Sequence, residues 1–139
     1  FPRPVIAACS GHAVALGTFL LCCCDFRVGV KGKFMLGANE MRTNMVIPTP
    51  ILELIKFRVS NSHKYRAVLG AEMYTLEASQ AAGLIDEVVD QESLMTAVSE
   101  KAQDLATMGH PSYSMTKELF IAEPMSKINA AMEELNKKS

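Results

Sequence analysis

Arg3-Pro4-Val5-Ile6-Ala7-Ala8-Cys9-Ser10-Gly11-His12-Ala13-Val14-Ala15-Leu16-Gly17 is the stretch that decides how the rest of the chain is read. Val5 to Cys9 is a short continuous apolar run behind a proline, the pattern of a strand buried on both faces. Ser10-Gly11-His12 turns the chain. Leu16 to Cys24 is then apolar all round, with Gly17 near its start, and predicts a buried helix that Asp25 ends. A buried strand delivered through a glycine turn into a buried helix is α/β architecture.

Outward from this stretch, Phe26-Arg27-Val28-Gly29-Val30 alternates and reads as a strand. Lys31-Gly32-Lys33 is a turn, and Phe34 to Gly37 is a second strand edge, so a strand pair is expected. Asn39 and Glu40 fall in a loop that runs to the breaker Pro48-Thr49-Pro50. Ile51, Leu54, Ile55 and Val59 recur at helical spacing, and residues 61–70 form another short helix ending at Gly70. Thr75 is the expected N-cap of a helix from Leu76 to Ala82, with Gly83 just past its end. Leu84 to Val89 reads as a strand. Gln91 to Met108 is the clearest amphipathic helix, with Leu94, Met95, Val98, Ala102, Leu105 and Ala106 on one face. Gly109-His110-Pro111 stops it. Two last helical segments, Ser112 to Ala122 and Met125 to Leu135, are expected on either side of Pro124.

This order offers few strands for a self-sufficient parallel sheet, which needs partners and cover on both faces. The chain also opens on Phe1-Pro2-Arg3-Pro4, without an initiator Met, and runs straight into a buried-strand pattern. The expectation is therefore a chain that begins mid-fold. Residues 1–90 read as the later part of an α/β core and residues 91–139 as a helical C-terminal region.

The totals exclude several classes. A formal net charge of -1 over 139 residues does not supply the clustered basic surface of a nucleic-acid partner. The longest apolar run, Phe19 to Cys24, is far short of the roughly 18 residues of a membrane span. No basic segment precedes an apolar one as in a signal peptide, and Asn136-Lys137-Lys138-Ser139 is no peroxisomal address. The expected compartment is cytoplasmic, with a mitochondrial or peroxisomal origin left open. Cys9, Cys22, Cys23 and Cys24 have neither disulfide-framework nor zinc-site spacing. They read as small buried hydrophobes in a reducing compartment, and no metal is expected.

Five segments in order carry a resemblance. Arg3 to Gly17 resembles the signature of the enoyl-CoA hydratase/isomerase (crotonase) family. Cys24-Asp25-Phe26-Arg27-Val28 is similar to the Cys-Asp pair and strand that follow it. Phe34 to Glu40 resembles the family's Phe-Gly-x-Pro-Glu segment, and Met45-Val46-Ile47-Pro48 its Gly-x-Ile-Pro. Thr75 to Val89 resembles its Ala-x-x-Ala-x-x-x-Gly-Leu-Val-x-x-Val-Val ending. No piece is specific alone; five in order over most of the chain are. The resemblance is to the C-terminal half of the family's members. It implies a partial spiral of ββα units, a homotrimer or dimer of trimers, an acyl-CoA thioester as partner, and a missing N-terminal half of the same protein. No cofactor is implied, because coenzyme A is part of the substrate.

It also implies a reaction centre. Moving a proton next to a thioester puts negative charge on its oxygen, and preorganised amide donors stabilise that charge. By position, one donor is the backbone of Leu16, flanked by Ala15 and Gly17; the other belongs to the half this chain lacks. The family's hydratases use two glutamates. The first position falls on Phe19. The second falls on Glu40, with one extra residue between the two, Asn39 in place of the usual Pro, and Thr49-Pro50 in place of a glycine-rich stretch. A phenyl ring at one station speaks against two-carboxylate hydration. A single glutamate still suffices to shuttle a proton between C2 and C4, the work of the family's isomerases. The rival reading is an acyl-CoA-binding member that has lost turnover. Met41 and Met45, beside Glu40, are the expected pocket lining, together with Ala15, Gly17 and Phe19.

Several residues have blander readings beside the sharp ones. Glu40 by itself is equally a solvated loop carboxylate. His12 in its turn need only pack or hydrogen-bond, and His63 and His110 have no partners at useful spacing. Lys117, Lys127, Lys137 and Lys138 are candidates for CoA phosphates, but scattered helical lysines are ordinarily a solvated face. A partial fold with 49% hydrophobic residues is expected to associate.

Overall fold

The computed structural model describes residues 1–138, the last of them for its backbone alone. The Lys138 side chain and Ser139, read above as part of the chain end, lie outside the described residues. Among the described residues, β1 (Ile6–Cys9), β3 (Phe26–Val30) and β6 (Glu87–Val89) form one parallel sheet in the order β1-β3-β6. A second sheet has the order β2 (Ala13–Val14), β4 (Met35–Gly37), β5 (Tyr74–Thr75), with β2 and β4 parallel and β4 and β5 antiparallel. The helices are α1 (Leu16–Cys22), α2 (Thr49–Arg58), α3 (Lys64–Val68), α4 (Leu76–Ala81), α5 (Leu94–Ala106) and α6 (Ser112–Lys138).

β1, β2, α1 and β3, β4, α2 each run strand, strand, helix, and each unit gives its two strands to different sheets. The expected pair of β3 and β4 is therefore not a pair. Lys31-Gly32-Lys33 redirects the chain from one sheet to the other, because β3 is taken up on both sides by β1 and β6. That central place also overrides the alternation read from Phe26–Val30. From Arg27 onward β3 is buried throughout.

A charge inside a central strand must be paired. Arg27 donates through Nε and an Nη to the two carboxylate oxygens of Asp86, at 2.9 and 2.8 Å, and through its other Nη to the Gly83 carbonyl at 2.9 Å. Gly83 has φ +77, and a Cβ there would lie 2.8 Å from the Arg58 carbonyl, so only glycine fits. Upstream, the Thr75 hydroxyl accepts from the Ala78 amide at 3.1 Å, as expected of an N-cap for α4.

α2 begins with Pro48 as N-cap and Pro50 in its first turn, where a missing N–H leaves nothing unpaired. α5 packs on β1 and β3. Of its predicted face, Leu94 and Leu105 are buried and Val98 half-buried, whereas Met95, Ala102 and Ala106 are exposed. Residues 61–70 divide into a 3₁₀ turn, Asn61–His63, and α3. The two expected C-terminal segments are one helix, α6, which runs through Pro124. Its Ile121, Pro124, Ile128 and Ala131 follow one another at spacings of three and four along the face turned to α2. Burial of that face outweighs the proline's local cost of about 3 kcal/mol.

α1 is not a fully buried helix. Phe19, Leu21 and Cys22 are buried, but Leu16 and Leu20 are 62% and 60% exposed. The cysteines divide the same way: Cys9 and Cys22 are buried, Cys24 is half-buried and Cys23 is exposed. Burial pushes the Cys22 thiol from its ordinary 9.0 to about 11. Because the folded pKa is raised, the unfolded chain ionises first. Stability is unaffected below about pH 9 and falls between pH 9 and 11, by about 2–3 kcal/mol for Cys22. A flat melting temperature from pH 7 to 8.5 and a steep decline above pH 9 are expected. Alkylation at pH 8 should label Cys23 first and Cys22 only on unfolding; equal rates at both would contradict this packing.

Candidate active site

The start of α1 has an unusual backbone. Ala15, its N-cap, has φ +53 and ψ -117, a conformation that costs a residue other than glycine about 1–3 kcal/mol. It persists because its surroundings over-determine it. The Ala15 amide donates to the Gly37 carbonyl at 2.9 Å, tying the turn to the end of β4. On its other side Gly37 packs against Glu72 and Met73, where a Cβ would lie 2.8 Å from the Glu72 carbonyl and from the Met73 sulfur. The conformation of Ala15 sets the plane of the Ala15–Leu16 peptide. The Leu16 N–H, first of α1, finds no acceptor among the described residues. It is an orphan donor at a helix start, where the helix dipole adds to its attraction for negative charge.

Glu40 follows Gly37 by three residues and opens a 3₁₀ turn, Glu40–Thr43. It is not the solvated carboxylate that a loop position suggests. Its residue is 7% exposed, and Oε2 is buried without a hydrogen-bond partner. Its backbone is held, since its carbonyl accepts from the Met45 amide at 2.9 Å and the Thr43 hydroxyl at 3.1 Å. A buried carboxylate oxygen left unpaired is costly and rare.

Leu16 and Phe19 both line a cavity of about 430 Å³ between α1, α2 and α6, with Leu20, Ile51, Leu54 and Ile121 among its apolar walls. Asp25 is its only carboxylate among the described residues, and it is engaged: Oδ2 accepts from Lys117 Nζ at 2.6 Å and from the Val5 amide at 2.7 Å. Ala15, Gly17, Glu40, Met41 and Met45 do not line this cavity. Met41 and Met45 lie on the surface, 41% and 59% exposed. The structure thus brings Leu16 and Phe19 together in one cavity. It joins them to Glu40 through the Ala15–Gly37 contact rather than through a shared wall.

His12 packs edge-on against Phe34, and its Nδ1 accepts from the Met35 amide at 3.1 Å, a role complete without chemistry. Lys117 is taken up by Asp25 and by the Arg3 carbonyl, and Lys127 by Glu123 at 2.8 Å. Among the described residues no cluster of His, Cys, Asp or Glu is arranged to hold a metal, and no helix is long and apolar enough to cross a membrane. The sequence reading passed over Thr18. It is a fully buried side chain whose hydroxyl donates to the Ala13 carbonyl at 2.7 Å and accepts from the Gly37 amide at 3.0 Å. The available signal was a single hydroxyl inside an otherwise apolar helix.

The sequence model of the enoyl-CoA hydratase/isomerase family matches residues 1–138. The chain belongs to that family. The fold agrees. An enoyl-CoA hydratase/isomerase family protein of Pseudomonas syringae superposes with a TM-score of 0.93 at 38% identity, over 96% of this chain and 58% of that one. A Mycobacterium tuberculosis protein, described both as a probable enoyl-CoA hydratase and as an enoyl-CoA isomerase, does so with a TM-score of 0.93 at 33% identity, over 100% of this chain and 61% of that one. Among curated proteins, the probable mitochondrial enoyl-CoA hydratase of Dictyostelium discoideum is 26% identical over 84% of this chain and 42% of its own length. The chain spans about half the length of the curated relatives it matches. Its two-sheet ββα arrangement is the crotonase fold, with a helical C-terminal region packed on it.

Proposed function

We propose that the protein carrying this chain acts on acyl-CoA thioesters, moving a double bond between carbons with Glu40 as the proton shuttle and the Leu16 amide as one donor to the enolate oxygen. The observation that carries this reading is the pairing of an orphan N–H at the start of α1 with a buried, unpaired carboxylate oxygen on Glu40. Isomerisation is favoured over hydration because Phe19 occupies the other carboxylate station and is buried. Among the described residues, the one carboxylate lining the same cavity, Asp25, is bound to Lys117. A single base suffices to take a proton from C2 and return it at C4; adding water across the bond needs a second group. The apolar cavity beside Leu16 and Phe19 suits the acyl chain.

The alternative is a binder without turnover, favoured by the same loss of a carboxylate at Phe19. A trimer, or a dimer of trimers, and an N-terminal segment completing the site belong to this proposal as well. They are supported by the outer position of β1 in its sheet and by the exposed Met115, Leu119 and Met132 of α6.

The test is conversion of 3-enoyl-CoA to the conjugated thioester, followed by absorbance, with 2-enoyl-CoA hydration measured beside it. The chain alone is expected to turn over at least 10²-fold more slowly than the chain supplied with an N-terminal segment of the family, since one oxyanion donor is worth about 10²–10³ in rate. Equal rates would show that the site needs nothing further. Tight binding of acyl-CoA with no product in either preparation would establish the alternative.

A further inference from the structure

We propose that Thr18 is a positioning residue that holds the Leu16 amide and Glu40 in one fixed relation. This rests on the function proposed above. The Thr18 side chain has no exposure to solvent. A helical threonine ordinarily bonds back to a carbonyl within its own helix. This one reaches out of α1 to the Ala13 carbonyl, at 2.7 Å, and takes the Gly37 amide, at 3.0 Å. Its one proton and one of its lone pairs are thereby committed to two separate elements.

Those elements are the ones that carry the site. Ala13 leads through Ala15 into the Leu16 amide, and Gly37 leads to Glu40. β2 and β4 are paired over only two positions, Ala13 with Leu36 and Val14 with Gly37. So short a ladder leaves the angle between α1 and the end of β4 to other contacts. The ladder ends on the Ala15 amide bonded to the Gly37 carbonyl, and the one side-chain hydrogen bond that joins α1 to β4 among the described residues is the Thr18 hydroxyl accepting from the Gly37 amide. Both groups of Gly37 are thus held by the turn that presents Leu16. Without the hydroxyl, only that short ladder ties Gly37 to the turn, and Gly37 and the residues that follow it are held less firmly relative to α1. Misplacement by about 1 Å of groups that must act together costs up to about 10²-fold in rate.

The experiment compares T18V, T18S, E40Q and the double variant T18V/E40Q in the preparation that converts 3-enoyl-CoA. T18V is expected to lower kcat by about 10–100-fold with KM changed by less than about threefold, and T18S to stay within about threefold of the parent. T18V should add less than about threefold on top of E40Q, because a residue that acts by placing Glu40 has nothing left to place. Amide hydrogen exchange on the 139-residue chain gives a readout apart from activity: Gly37 and Ala15 should lose protection in T18V while the β3–β6 amides keep theirs. T18A serves the same comparisons if T18V does not fold.

Faster exchange at Gly37 with an unchanged kcat would make the hydroxyl structural only and overturn the proposal. So would full multiplication of the T18V and E40Q effects. An unchanged rate in E40Q alone removes Glu40 from the proposed function instead. In that event the proposal stands only if T18V both loses protection at Gly37 and Ala15 and lowers kcat, and either one unchanged overturns it.

Discussion

Glu40→Gln is expected to slow double-bond migration by about 10²–10⁴-fold, the range over which a positioned general base contributes. Glutamine has nearly the same shape, so burial and substrate contacts persist and KM should move little. What it lacks is the ability to take a proton from C2 and return it at C4. The fold should not suffer. Glu40 Oε2 is buried without a partner, and replacing an unpaired carboxylate by a neutral amide removes a desolvation cost rather than a bond. The melting temperature of the variant is thus a control, expected to equal or exceed that of the parent. A variant that melts normally and keeps the full isomerase rate would remove Glu40 as the shuttle. A parent protein that binds acyl-CoA and converts none would leave no rate to lose and favour the binder.

The largest effect on stability is expected at Asp86→Asn, about 3 kcal/mol, a large part of the 5–15 kcal/mol that holds an ordinary domain together. The reason is asymmetric burial. The Arg27 side chain is 4% exposed and Asp86 is 41% exposed. Removing the carboxylate strands a guanidinium inside the central strand of its sheet, which is the costly way to break a buried pair. Removing the arginine leaves an aspartate that water already reaches, so Arg27→Met is expected to cost less. The pair also closes the backbone: the Arg27 amide donates to Asp86 Oδ2 at 2.8 Å, and the Asp86 amide donates to the Arg27 carbonyl at 2.9 Å. Urea unfolding at constant slope measures both variants. A midpoint for Asp86→Asn corresponding to less than about 0.5 kcal/mol would show that the backbone contacts hold the sheet without the charge pair.

Elements with short-range signals were legible from the residues. Thr75 caps α4 and Gly83 follows its end, because a cap and a left-handed glycine act over three or four residues. The position of β1 was legible because an apolar run after a proline has few other uses, but its burial on both faces was not borne out: β1 lies on the outside of its sheet, only Cys9 is buried, and Ala8 is exposed. The features that failed have their causes far away in the chain. An all-apolar helix carries no phase, so nothing in Leu16 to Cys24 says that Leu16, Leu20 and Cys23 face outward. Lys31-Gly32-Lys33 has the chemistry of a tight turn, but the partner of β3 is chosen by β1 and β6, not by the turn. Pro124 is a stop in local terms and is carried inside α6 by packing on α2.

The candidate site divides along the same line. Five segments in order from Arg3 to Val89 were enough, by resemblance, to name the family, and those from Arg3 to Glu40 to single out Leu16, Phe19 and Glu40 as candidates. Periodicity, caps and motifs are properties of neighbouring residues, and a sequence states them directly. Three things were decided only in the tertiary structure: the burial of Glu40, the unpaired amide of Leu16, and the bonds of the Thr18 hydroxyl to Ala13 and Gly37. Such features depend on contacts across long stretches of chain, 19 residues for Thr18 and Gly37, as the Arg27–Asp86 pair does across 59. Such contacts exist only once the two sheets have closed, and burial and unmet hydrogen bonds are set by what surrounds a group rather than by what precedes it.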